Sequence, residues 1–88
     1  GYLTNQEVLV TGAGGSIGSE LSRQIAKFSP GKLILLGRGE NSIYEIELEL
    51  KENFPGLELK SEIGDVKDQE RMKQIFKNRL INPWHTPI

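Results

Sequence analysis

Four glycines fall within the eight residues Thr11-Gly12-Ala13-Gly14-Gly15-Ser16-Ile17-Gly18. Their spacing suits phosphate chemistry. A backbone without Cβ atoms can approach a pyrophosphate, and the unpaired N–H groups of a following helix, at the positive end of its dipole, suit the charge. Gly12 is read as the tight turn out of a strand. Gly14 and Gly15 allow the close approach, and Gly18 lets the helix pack against the strand. Gly12, Gly15 and Gly18 give GxxGxxG, whereas strict GxGxxG fails because Ile17 stands at its last position. A lysine-bearing P-loop is not expected, since Ser19 rather than Lys follows Gly18. The bland alternative is a glycine-rich turn with no ligand.

Two more positions bear on the choice of ligand. An acidic residue ending the second strand would bind the adenosine ribose of NAD, whereas an arginine there can accept the 2′-phosphate of NADP. Here the run ends Leu36-Gly37-Arg38, without a carboxylate at 37. The cofactor reading therefore leans toward NADP through Arg38, with NAD as the alternative and Glu40 close enough to complicate it. A methyltransferase-type loop would also expect an acid at that strand end. Asp65 follows the third strand and could accept a hydrogen bond from an adenine amino group; otherwise it is a turn-forming residue.

These residues need a scaffold of alternating strands and helices. Val8-Leu9-Val10 reads as a strand buried on both faces. Ile17, Leu21, Ile25 and Phe28 fall on one helical face, so a helix is expected from Ser16 to Phe28, stopped by Ser29-Pro30-Gly31. Leu33 to Leu36 is the second strand. Asn41 to Phe54 is ambiguous, because Tyr44 to Leu50 alternates like a strand. Its length, its Glu and Leu content and a cap at Asn41 or Ser42 favour a helix. Leu57 to Ile63 alternates and reads as an edge strand, followed by a Gly64-Asp65-Val66 turn. Met72, Ile75, Phe76 and Leu80 mark a third helix from about Asp68, its expected N-cap.

The expected fold class is thus α/β: a Rossmann-type half domain, βαβαβα, with a parallel three-stranded sheet of order 3-2-1 and flanking helices. Residues 1–81 would form the N-terminal half of an NAD(P)-binding domain, and residues 82–88 an irregular tail. Its His85 and Trp84 are read as tail residues rather than ligands. Strand 1 would keep an unpaired apolar edge, open to self-association.

Composition narrows the classes further. The chain has 88 residues, 36% hydrophobic and 26% charged, with 11 basic against 12 acidic residues and no cysteine. No basic field recommends nucleic acid as a partner. Disulfide frameworks and thiolate metal sites are excluded. Glu45, Glu47, Glu49 and Glu52 read as a solvated helix surface, so no metal site is expected. No apolar run reaches the ~20 residues of a membrane span. A cytoplasmic setting is expected, with an anchor in a longer parent left open because the chain starts at Gly1 rather than Met.

The stretch Thr11 to Leu21, with Leu33 to Leu36, Glu40-Asn41-Ser42-Ile43-Tyr44-Glu45-Ile46 and Gly64-Asp65-Val66, resembles the opening of the extended short-chain dehydrogenase/reductases. It is most similar to their polysaccharide-biosynthesis branch, typified by UDP-N-acetylglucosamine 4,6-dehydratases, over about residues 7 to 80. The resemblance implies tight binding of NAD or NADP and a reaction that oxidises a sugar at C4, eliminates water across C5–C6 and returns the hydride to C6. It implies that Gly12, Gly15, Ser16 and Ile17 line the pyrophosphate, Arg38 the ribose, and Asp65 with Val66 the adenine. Many members carry Asp where Gly37 stands, and Asn82 to Ile88 departs from the family's continuation. The family's catalytic lysine and UDP-sugar pocket lie beyond this point, so no residue here is assigned as catalytic. The expected role is the NAD(P)-binding portion of a nucleotide-sugar dehydratase or epimerase, inactive by itself. The alternative is a non-catalytic NAD(P)-sensing module.

Overall fold

The apolar runs become a small parallel sheet with helices on both faces. The computed structural model describes residues 6–65 and 67–77. The side chains of Ile75 and Phe76, together with Val66, Leu80 and the tail 82–88, lie outside the described residues. In chain order the elements are β1 (Glu7–Thr11), α1 (Ser16–Ala26), β2 (Lys32–Gly37), α2 (Glu40–Asn53), β3 (Leu59–Ile63) and α3 (Gln69–Lys77). The sheet runs β1-β2-β3, all parallel, with Val10 opposite Leu35 and Leu35 opposite Ser61.

Alternation along the strands sorts the core into two layers. Val8, Val10, Leu33 and Leu35 meet Ile43, Ile46 and Leu50 of α2 on one face, with Leu21 and Ile25 of α1 packed alongside. Leu9, Ile34 and Leu36 meet Met72 of α3 on the other. β2 is buried from Leu33 to Gly37, as a central strand covered on both faces must be, whereas β3 is only half-buried. Among the described residues β2 is the only sheet partner of β1.

Several local expectations are corrected. α1 ends at Ala26, short of Phe28, because the amides of Lys27, Phe28 and Ser29 bond three residues back and tighten the turn. Ser29 then takes a left-handed φ of 53° before Pro30. Phe28 leaves the helical face in consequence and is 57% exposed. Ile17, in the first turn beyond the end of β1, is 70% exposed. Only Leu21 and Ile25 of the expected apolar stripe reach the core. α2 is a helix, but it starts at Glu40 with Gly39 as N-cap, and neither Asn41 nor Ser42 caps it. β3 begins at Leu59 because the Leu57 amide closes a turn onto Phe54 O at 3.0 Å. Asp68 does cap α3: its Oδ1 accepts the Arg71 amide at 3.1 Å.

The two helices on one face are clamped by a forked ion pair. Arg23 of α1 donates from Nε and Nη2 to the Glu49 carboxylate of α2 at 2.6 and 3.1 Å, and from Nη1 to Glu20 at 3.2 Å. The Arg23 hydrogen bond holds the Glu49 carboxyl below its ordinary value of 4.5. A depressed carboxyl contributes stability above the unfolded-state value and loses it as pH falls through the folded one. The wild-type chain therefore melts at a higher temperature than Glu49→Gln at pH 7, and the gap narrows as pH falls below about 4.3. Thermal unfolding followed by circular dichroism checks this; a gap that stays constant to pH 3 would mean that the charged pair contributes nothing.

Candidate functional site

The glycine run forms the turn between β1 and α1, and each glycine there answers to a different constraint. Gly12 takes a φ of 63°, where an L side chain is strained. Its carbonyl accepts the Gly15 amide at 3.0 Å, and the Ala13 amide bonds Leu36 O at 3.0 Å, tying the turn to the end of β2. A Cβ on Gly18 would overlap the Gly12 carbonyl, lying 2.6 Å from its carbon and 3.0 Å from Ala13 Cα. This is the close helix-to-strand packing expected of Gly18. Gly14 has a different neighbour: its Cβ would stand 2.6 Å from Ser42 Cβ and 3.3 Å from the Ile43 amide nitrogen. Gly14 thus lets the start of α2 approach the loop, a packing role beside the phosphate role read from the sequence.

Gly15 is the N-cap of α1, in extended conformation, and no side chain caps the helix. Its own amide is used by Gly12 O, and Ser19 begins the helical ladder by donating to Gly15 O at 2.8 Å. Among the described residues, the amides of Ser16, Ile17 and Gly18 meet no acceptor, as the first turn of a helix dictates. They stand at the positive end of α1, where an anion would be favoured.

The same carboxyl edge of the sheet carries a cleft of about 280 Å³. Gly12 from the end of β1, Gly37 and Arg38 from the end of β2, and Gly64 and Asp65 from the end of β3 line it, with Leu36 as its apolar floor. The sequence-predicted residues Gly12, Arg38 and Asp65 are therefore brought to one place. Arg38 Nη1 lies 3.6 Å from Asp65 Oδ2, and the Arg38 side chain is 73% exposed. Asp65 Oδ1 accepts the Lys67 amide at 2.9 Å, and Asp65 O accepts the Asp68 amide at 2.9 Å. Asp65 accordingly builds the turn into α3 while keeping one carboxylate oxygen toward Arg38. Val66 lies outside the described residues.

Sequence reasoning missed Lys67, which also lines the cleft. The signal was its place two residues after Asp65, where an Asx-type turn brings the chain back over the strand ends. The acidic residues of α2 do not meet in a metal cluster. Glu49 is held by Arg23, Glu47 lies 3.6 Å from Lys51, and no group of three metal-ligating side chains forms among the described residues. No helix among the described residues is long and apolar enough to cross a membrane.

Comparison with known proteins is consistent with this architecture. Residues 8–83 match the family described as polysaccharide biosynthesis protein. The capsular polysaccharide biosynthesis protein CapD of Staphylococcus aureus is 53% identical over 75 residues, which cover 84% of this chain and 12% of CapD. The probable polysaccharide biosynthesis protein EpsC of Bacillus subtilis (strain 168) is 50% identical over 76 residues, 85% of this chain and 13% of EpsC. The chain thus spans a small part of the length of these relatives. Among solved structures, YwfH, an NADPH dependent reductase involved in bacilysin biosynthesis, superposes with a TM-score of 0.79 over 85% of this chain and 29% of its own. At 21% identity that likeness is one of fold alone.

Proposed function

We propose that this chain, which belongs to the polysaccharide biosynthesis protein family, supplies the adenosine and pyrophosphate side of a nicotinamide-dinucleotide site in an enzyme that remodels a nucleotide sugar. The observation that carries the reading is convergence. The left-handed Gly12 turn, the unpaired amides of Ser16 to Gly18 and the Arg38–Asp65 cleft all meet at the carboxyl edge of one parallel sheet. Ligands of open α/β sheets bind at that edge.

The residues present fit such a group. The amides at the start of α1, with the exposed Ile17 beside them, would hold the pyrophosphate. Leu36, Gly37 and Gly64 leave room for the adenosine, and Arg38 would meet its ribose. Asp65 would face the adenine. The bound nicotinamide would supply hydride transfer, and the residues here anchor the opposite end of the dinucleotide. With no carboxylate at Gly37 and a cation at Arg38, NADP is favoured over NAD. The structural neighbour YwfH is named as an NADPH dependent reductase, which supports a nicotinamide dinucleotide at this edge without choosing between the two. The reaction proposed for the whole enzyme is dehydration or epimerisation of a UDP-sugar, with this chain inactive by itself and located in the cytoplasm.

An amide-resolved NMR titration of the 88-residue chain with NADP and NAD tests the reading. The Gly12 to Gly18 amides shift with both dinucleotides, and the Arg38 resonances shift more with NADP. A well-dispersed spectrum in which neither ligand moves those amides would overturn it.

A further inference from the structure

Resting on that reading of the cleft, we infer that Lys67 is a specificity-determining residue: a second cation that, with Arg38, selects a 2′-phosphorylated adenosine. The argument begins with charge. The cleft is lined by two cations, Arg38 and Lys67, and one carboxylate, Asp65. Arg38 stands 3.6 Å from the Asp65 carboxylate, which offsets its formal charge within the lining. Lys67 makes no ion pair among the described residues. The other nearby carboxylate, Glu62, is engaged by Arg71 at 3.2 Å and by Lys60 at 3.5 Å. The net positive charge of the cleft therefore comes from Lys67, and without it the lining is neutral.

The backbone places Lys67 there independently of its side chain. Its amide donates to Asp65 Oδ1 at 2.9 Å, which closes the turn after β3 and brings position 67 back over the strand ends. The carboxylate that holds Arg38 on one oxygen holds the Lys67 backbone with the other. Asp65 thus ties position 67 to the same carboxylate that Arg38 approaches. NADP differs from NAD by one phosphate of about −1.5 to −2 charges, the usual charge of a phosphate monoester near pH 7. A neutral lining would give that difference little to attract it. A lining with a net positive charge discriminates.

The test is the parallel titration of wild-type chain, Lys67→Gln and Arg38→Gln with NADP and NAD, reading dissociation constants from the Gly12 to Gly18 amides. Lys67 is exposed and its backbone bond survives the substitution, so the variant keeps the wild-type amide dispersion. Lys67→Gln weakens NADP by about fivefold, the scale of one solvent-screened charge contact, and leaves NAD within about twofold. Raising the salt concentration shrinks the wild-type preference more than that of the variant. If Arg38→Gln weakens NADP and Lys67→Gln changes neither ligand, the inference about Lys67 fails and the proposed site stands. Equal weakening of both dinucleotides by Lys67→Gln also overturns it, since that reports general attraction rather than selection. If neither dinucleotide moves the loop amides of the wild-type chain, the proposed site itself fails and the inference falls with it.

Discussion

Gly18→Ala lowers the stability of this chain by about 3 kcal/mol or more, whereas Gly56→Ala leaves it unchanged or slightly raised. Two effects oppose one another at position 18. Alanine is favoured over glycine inside a helix by roughly 1 kcal/mol. Against that, the new methyl overlaps the Gly12 carbonyl, and its neighbours are backbone atoms that cannot rotate away. Gly12 is itself held by its bond from Gly15 and by a φ of 63°. Relief therefore requires α1 to lift off the turn, which exposes Leu21 and Ile25 and separates Arg23 from Glu49. A chain of 88 residues holds only about 4–13 kcal/mol in total, so the loss is a large share of it. Gly56 is the control, because nothing lies within 4 Å of its added Cβ. Urea unfolding separates the two, with a midpoint drop of about 2 M expected for Gly18→Ala. Equal midpoints for both variants would mean that the close approach of helix and turn is not fixed.

What could be read from the chain alone depended on whether the deciding interaction was local. The βαβαβα order and the parallel sheet follow from short apolar runs such as Leu33 to Leu36, bounded by turn residues, because a strand covered on both faces uses such a run. The segment Tyr44 to Leu50 could satisfy either period. The helix wins because it buries Ile43, Ile46 and Leu50 together and leaves Tyr44 and Leu48 exposed. Periodicity does not say where a helix runs out of sheet to cover, and Ile17 and Phe28 were for that reason expected on the apolar face. In the glycine run, local chemistry disclosed the turn at Gly12 and the packing at Gly18. Gly14 meets Ser42, twenty-eight residues further along, and no local rule reaches that contact. Lys67 carried a local signal in its place two residues after Asp65, but the cleft it lines exists only because β2 and β3 lie side by side and bring residues 38 and 65 together.

The second large effect is expected at Gly37, where one substitution reverses the dinucleotide preference. On the proposed function, Gly37→Asp shifts the NADP-to-NAD affinity ratio toward NAD on the order of 100-fold, since like charges placed together across a binding site cost several kcal/mol. Gly37 ends β2 and lines the cleft beside Arg38. A carboxylate there would accept the ribose hydroxyls of NAD and repel a 2′-phosphate. It would also compete for Arg38, whose present carboxylate partner in the cleft is Asp65. The fold resists through one side chain: the new Cβ would lie 2.8 Å from Ile43 Cδ1 and 3.2 Å from its Cγ1, and Ile43 is buried in the core, so it must repack. Adding Ile43→Val to Gly37→Asp trims that end and restores folding stability without altering the preference. Gly37→Ala carries the same Cβ without the charge, so it isolates the steric contribution and should keep the wild-type ratio. If Gly37→Asp keeps both the wild-type amide dispersion and the wild-type ratio, the end of β2 does not face the ribose and the adenosine lies elsewhere. If Gly37→Ala reverses the preference as strongly as Gly37→Asp, the selection is one of shape, and the electrostatic account of Arg38 and Lys67 fails with it.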